Sequence, residues 1–175
     1  WDSELAEKSG YEHFMLKEMH EQPKVIRQIA KNIDGVKIAS ELIKKAFGTY
    51  FIGCGTAAFA CLLGTYLFSK FSKKHVNFAP GSEFVYLEDF LKPKSLIIPV
   101  TQSGESIDVV EPVIAAKKKG VKVVSLVNVL GSSIYRLSDY PLMLSAGIEK
   151  GVASTKAMIA MVSLGYWVIG YCWGM

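Results

Sequence analysis

Ser95-Leu96-Ile97-Ile98-Pro99-Val100 runs straight into Thr101-Gln102-Ser103-Gly104-Glu105-Ser106. The first half is an apolar run of strand length. The second crowds four hydroxyl or amide side chains into six residues. The spacing predicts a helix from Ser106 to Lys119, ended by Gly120, and then a β-branched strand from Val121 to Val127. Strand, loop, helix and strand in that order make a crossover unit whose two strands pair in parallel.

The same alternation extends in both directions. Upstream, Thr49 to Ile52 reads as a short strand, Gly53 to Thr56 as a tight loop and Ala57 to Phe71 as an apolar helix. His75 to Phe78 is the second strand, and Ser82 to Phe90 a short helix. Downstream, Ser132 to Leu137 is a short helix, Pro141 to Leu144 a fifth strand, and the last helix starts at Ala153. Ahead of the alternation, Tyr11 to Ala30 has helical spacing broken near Pro23, which is expected to open a second helix. Another helix is expected from Val36 to Phe47, stopping near Gly48.

Short strands that are apolar on both faces argue for a parallel sheet covered by helices. The expected fold is an α/β three-layer α/β/α sandwich around a five-stranded parallel sheet of flavodoxin-like order 2-1-3-4-5. A helical extension, residues 1–47, packs on a domain formed by residues 48–175. In that strand order the direction of winding reverses between the first and third strands, and open sheets take ligands at such a point. The two most ligand-like loops follow those two strands.

The chain has 175 residues, half of them hydrophobic and 21% charged, with a formal net charge of +4. One ordinary domain fits that length. The lysines are scattered, at Lys44-Lys45, Lys73-Lys74 and Lys117 to Lys119, without zinc-finger spacing or an arginine array, so no nucleic-acid partner is expected. Cys54, Cys61 and Cys172 are odd in number and form no CxxC pair, and nothing resembles a signal peptide. These features point to a reducing, cytoplasmic setting. Ala157 to Met175 is almost wholly apolar and about as long as a membrane span, but its glycines and aromatics fit burial in a helix layer or a subunit interface. No membrane partner is expected.

The first loop reads Gly53-Cys54-Gly55-Thr56-Ala57. Its glycines allow a tight turn, and a helix start favours an anion. The dinucleotide and Walker fingerprints both fail here. Cys54 has no histidine near it in sequence, so it reads as packing or a ligand contact rather than a nucleophile. The second loop is more informative. A helix cap accounts for one serine of Thr101, Gln102, Ser103 and Ser106 but not for the group, whereas hydroxyls and helix-start amides together hold phosphate without lysine or metal. Glu105 beside such a site is read as holding the loop, because its charge would repel phosphate. A third strand-to-helix segment, Gly147 to Lys156, offers Ser154 or Thr155 as a cap and backbone near Val152 for a polyol.

These loops, together with Gly151-Val152-Ala153-Ser154-Thr155-Lys156, resemble the sugar isomerase (SIS) domain family, and within it the first of the two such domains of the glutamine–fructose-6-phosphate aminotransferases. His13-Phe14-Met15-Leu16-Lys17-Glu18-Met19-His20-Glu21-Gln22-Pro23 resembles the segment preceding their isomerase half, and Ala79 to Tyr86, Gly131 to Ser133 and Ala146 to Glu149 also match. The resemblance implies that Thr101, Gln102, Ser103 and Ser106 hold phosphate. It further implies that Cys54, Gly55 and Thr56 contact the sugar phosphate, and that Val152, Ala153 and Ser154 lie near the sugar oxygens. The family usually has serine where this chain has Ala57. The substrate implied is fructose 6-phosphate, with glucosamine 6-phosphate as product. Partners implied are a second SIS domain, an N-terminal glutaminase domain and a second copy in a homodimer. The catalytic glutamate, lysine and histidine of those enzymes have no counterpart here. The expectation is therefore a fragment that binds sugar phosphate without turning it over, with no catalytic residue, no metal and no cofactor of its own. Two other readings are a stand-alone sugar-phosphate isomerase, using His75 and Glu105 or His20 from a neighbour, and a non-enzymatic sugar-phosphate sensor.

Overall fold

In the computed structural model, which describes residues 7–31 and 33–174, five short strands lie side by side in one parallel sheet. They are β1 (Thr49–Gly53), β2 (Asn77–Pro80), β3 (Leu96–Thr101), β4 (Lys122–Val127) and β5 (Tyr140–Met143). Their order is β2-β1-β3-β4-β5, all pairs parallel, as the alternation predicted. All six residues of β3, the central strand, are buried, which is why its sequence shows no polar alternation.

Alternate residues of these strands feed two cores. Leu96, Ile98 and Val100 of β3 with Val124 and Leu126 of β4 face one side, where α1 (Phe14–Ile29), α2 (Ile33–Lys45), α3 (Thr56–Leu67) and α6 (Lys156–Trp173) lie. A π-helical turn, Phe68–Ser72, prolongs α3. Ile52, Ile97 and Val123 face the other side, against a 3-10 helix (Gly81–Phe90), α4 (Ile107–Lys118) and α5 (Ser133–Leu137). The result is the expected three-layer sandwich.

Several boundaries differ from expectation for definite reasons. Residues 14–29 form one helix, with Pro23 inside it, rather than two. A proline there costs roughly 3 kcal/mol. Burying Val25 and Ile29, at about 1.5–3 kcal/mol each, offsets it. The second strand sits two residues later than predicted and ends on Pro80, which the sheet tolerates because β2 is an edge. The last helix begins at Lys156, not Ala153. The first six residues of the expected extension, Asn32 and Met175 lie outside the described residues.

α4 also contains a proline, Pro112, which leaves the Asp108 carbonyl without its helical donor. Gly81 packs on that carbonyl so tightly that a β-carbon would stand 2.3 Å from the oxygen. This close approach seats the 3-10 helix beside the end of β1. No helix among the described residues is long and apolar enough to cross a membrane. In α6, Ala157, Ala160, Leu164 and Ile169 are instead buried against the sheet and the N-terminal helices.

Candidate functional site

The carboxyl ends of β1 and β3, adjacent in the sheet, bring the first two loops to one cleft of about 180 Å³. Cys54 and Thr56 line it from the first loop, and Thr101, Gln102, Ser103 and Ser106 from the second. Ser154 reaches it from the segment before α6. Ala57, Val100, Val109 and Met161 complete the wall. Three residues named from the sequence do not line it: Gly55, Ala153 and Val152, the last fully in solvent.

Backbone chemistry shapes the second loop. Gly104 donates its amide to Thr101 Oγ1 at 3.1 Å, and the Glu105 amide donates to Ser103 Oγ at 3.2 Å. Thr101 is buried, so its hydroxyl both braces the loop and borders the cleft. Ser106 is the N-cap of α4, but its side chain makes no cap bond, which leaves the hydroxyl to face the cleft. The positive end of α4 thus opens onto a cleft whose lining residues include no lysine or arginine. In the first loop the backbone closes on itself. The Ala57 amide donates to the Cys54 carbonyl, and the Ala58 and Phe59 amides to that of Gly55.

Glu105 turns away from the cleft. Its carboxylate accepts from the Ser133 amide at 2.8 Å and the Ser133 hydroxyl at 2.7 Å. The Ser133 hydroxyl and amide hold its carboxyl below the ordinary glutamate value. The expected loop-holding role is therefore what the geometry shows. Cys54 is the opposite case of a tempting nucleophile. Burial raises its thiol above the ordinary value, and the Asp108 charge, with Oδ2 3.9 Å away, adds to the effect.

Sequence reasoning missed two carboxylates. Glu149 accepts from the Thr155 amide at 2.8 Å, the Ala157 amide at 3.1 Å and the Ser154 hydroxyl at 3.1 Å. It caps α6 from upstream, which is why the helix starts late. Glu18, on α1, accepts from the Lys150 and Gly151 amides. An acidic residue shortly before an unexplained helix start could have signalled Glu149. Nothing local signals Glu18, because its contacts lie more than 130 residues away.

The SIS domain family profile matches residues 42–169. The chain belongs to the SIS domain family. A glutamine–fructose-6-phosphate aminotransferase (isomerizing) from Pyrococcus horikoshii is 47% identical to this SIS domain over 158 residues, which are 89% of the chain and 26% of that protein. The Clostridium tetani protein of the same name is 43% identical over 166 residues, 90% of the chain and 27% of that protein. Among solved structures, the C-terminal domain of glucosamine-fructose-6-phosphate aminotransferase from Francisella tularensis matches with a TM-score of 0.81 at 33% identity, covering 94% of this chain and 50% of that one. The chain spans about a quarter of the length of the curated relatives it matches. As an SIS domain, it is similar to the isomerase half of those enzymes.

Proposed function

We propose that this SIS domain is a phosphosugar-binding unit of a glutamine–fructose-6-phosphate aminotransferase, corresponding to the first of two such domains. The observation that carries the reading is the convergence of Thr56, Thr101, Gln102, Ser103, Ser106 and Ser154 on one cleft at the start of α4. A phosphate seated there meets hydroxyls, an amide side chain and the positive end of a helix, with no need of a cation. Ser154 stands in the same cleft on the third segment, toward the sugar. In the whole enzyme the site would fix and orient open-chain fructose 6-phosphate, and positioning of that kind contributes strongly to rate. Glucosamine 6-phosphate would fit the same site as product.

On this reading residues 48–175 are the binding unit and 1–47 its helical extension. The chain works beside a second SIS domain and a glutaminase domain, in the cytoplasm, as a homodimer, and makes no glucosamine 6-phosphate alone. The test is calorimetric titration with fructose 6-phosphate, glucose 6-phosphate and inorganic phosphate, repeated after Ser103→Ala. Saturable sugar-phosphate binding that weakens in the variant supports the site. A folded chain that binds none of the three ligands rejects it.

A further inference from the structure

We infer that Glu18 is a positioning residue, setting the third segment of the cleft from a helix that does not itself line the cleft. The inference rests on the phosphosugar reading above. Among the described residues, three charged side chains are buried: Lys17, Glu18 and Lys156. Lys17 and Glu18 lie on α1, Lys156 opens α6, and the amides facing Glu18 lie in the segment just before α6. Glu18 is only 2% exposed, and both its oxygens accept from the Gly151 amide at 3.1 Å, while one also accepts from the Lys150 amide. Next to it, Glu21 takes the Lys156 ammonium in a direct ion pair and lies 3.8 Å from Lys17 Nζ.

Stability alone does not account for this arrangement. Removing a carboxylate and ammonium groups from water is costly, and apolar side chains of similar volume commonly serve a core as well or better. What the charges supply is direction. A carboxylate facing two successive amides fixes the backbone at residues 150–151, and Glu149 fixes residues 154–157 through its own bonds. Only Val152 and Ala153, both exposed, lie between the two anchors. The position of Ser154 in the cleft is therefore determined from both sides, and one side is α1. The phosphate loop at 101–106 has separate supports, Thr101 and Ser133, so the two walls of the cleft are set independently.

The experiment compares the unaltered chain with Glu18→Gln by calorimetry and amide hydrogen exchange. A glutamine in place of Glu18 keeps the shape but loses the charge and half the acceptors. Affinity for fructose 6-phosphate is expected to fall on the order of tenfold, the size of one charge-assisted hydrogen bond. Inorganic phosphate is expected to bind unchanged, and amides 150–154 to exchange faster. Equal affinity for the sugar phosphate in both chains, or equal loss for sugar phosphate and phosphate, overturns the inference. If Glu18→Gln fails to fold, Gly151→Ala makes the same test from the other side, since its β-carbon would stand 2.6 Å from Glu18 Oε2. If the unaltered chain binds no sugar phosphate, the phosphosugar reading fails instead. Exchange at 150–154 then decides the Glu18 contact, and unchanged exchange overturns it.

Discussion

Gly104 passes so close to Ser132 that a β-carbon on it would stand 2.1 Å from the serine hydroxyl oxygen. The same glycine has a φ of +72° and accepts the Ile134 amide on its carbonyl at 3.0 Å. The loop after β3 is thus pressed against the start of α5. Gly104→Ala combines left-handed backbone strain with a steric clash and is expected to lower stability by about 2–4 kcal/mol. Chemical denaturation checks the stability, and the same variant should lose affinity for inorganic phosphate. A variant as stable as the parent would contradict this packing.

Asp139 ties the end of α4 to β4. Burial opposes its ionisation, but the Lys117 ammonium at 2.7 Å and the Val123 amide at 2.8 Å outweigh that and hold its carboxyl below the ordinary value. A group with a depressed folded value stabilises above its unfolded value and ceases to do so as pH falls through the folded one. Asp139→Asn is expected to cost about 1 kcal/mol at pH 7, a figure already reduced for its partial exposure. Thermal unfolding should show that gap persisting at pH 5 and closing below about pH 4. A gap that widens on acidification contradicts the sign.

The contrast between what was legible and what was not follows sequence distance. Strand order and the place of the cleft were readable because β1 and β3 are short, apolar and each followed by a hydroxyl-bearing loop. Thr101, Gln102, Ser103 and Ser106 are neighbours in the chain, so their grouping is visible before folding. Local rules misjudged Pro23, because packing of α1 on α6 overrides a helix-breaking residue. The family resemblance puts Val152 and Ala153 near the sugar oxygens; both are exposed, and neither lines the cleft. Local rules missed Glu18 altogether, since a carboxylate on one helix carries no mark of the distant amides it will meet.

Glu105 offers a direct spectroscopic test of its loop-holding role. Its carboxyl is held down by the Ser133 hydroxyl and amide. In a proton–nitrogen NMR titration the Ser133 amide should shift on acidification with a midpoint below about 4.3, the ordinary glutamate value. A midpoint at or above that value would mean that the two groups are not bonded in solution.

Cys54 should be a sluggish thiol. Burial and the Asp108 charge both disfavour its thiolate. At pH 8, alkylation by iodoacetamide is expected to be slower than that of a free cysteine peptide, and Asp108→Asn should accelerate it. Faster alkylation than the peptide would restore Cys54 as a candidate nucleophile.

Ala57 lines the cleft at the first turn of α3, at the position where the family resemblance implies a serine. Restoring the hydroxyl with Ala57→Ser is expected to tighten fructose 6-phosphate binding by about threefold to tenfold, the range of one neutral hydrogen bond. Weaker binding in calorimetry would show that the alanine is fitted to a different ligand.

The packing of α1 and α2 onto α6 has a consequence for the order in which this domain closes during synthesis. Val25, Ile29, Val36 and Ile43 share a core with Leu164, Val168 and Ile169, and the Ser40 hydroxyl donates to the Val168 carbonyl at 2.9 Å. Two helices made early in this domain therefore dock on one made more than a hundred residues later. A nascent chain that has emerged through β5 still carries an uncovered apolar layer along one side of its sheet. Contacts this distant in sequence close slowly, and the exposed layer is sticky while it waits. Synthesis of the eighteen residues of α6 thus acts as the release point at which α1 and α2 gain their partner.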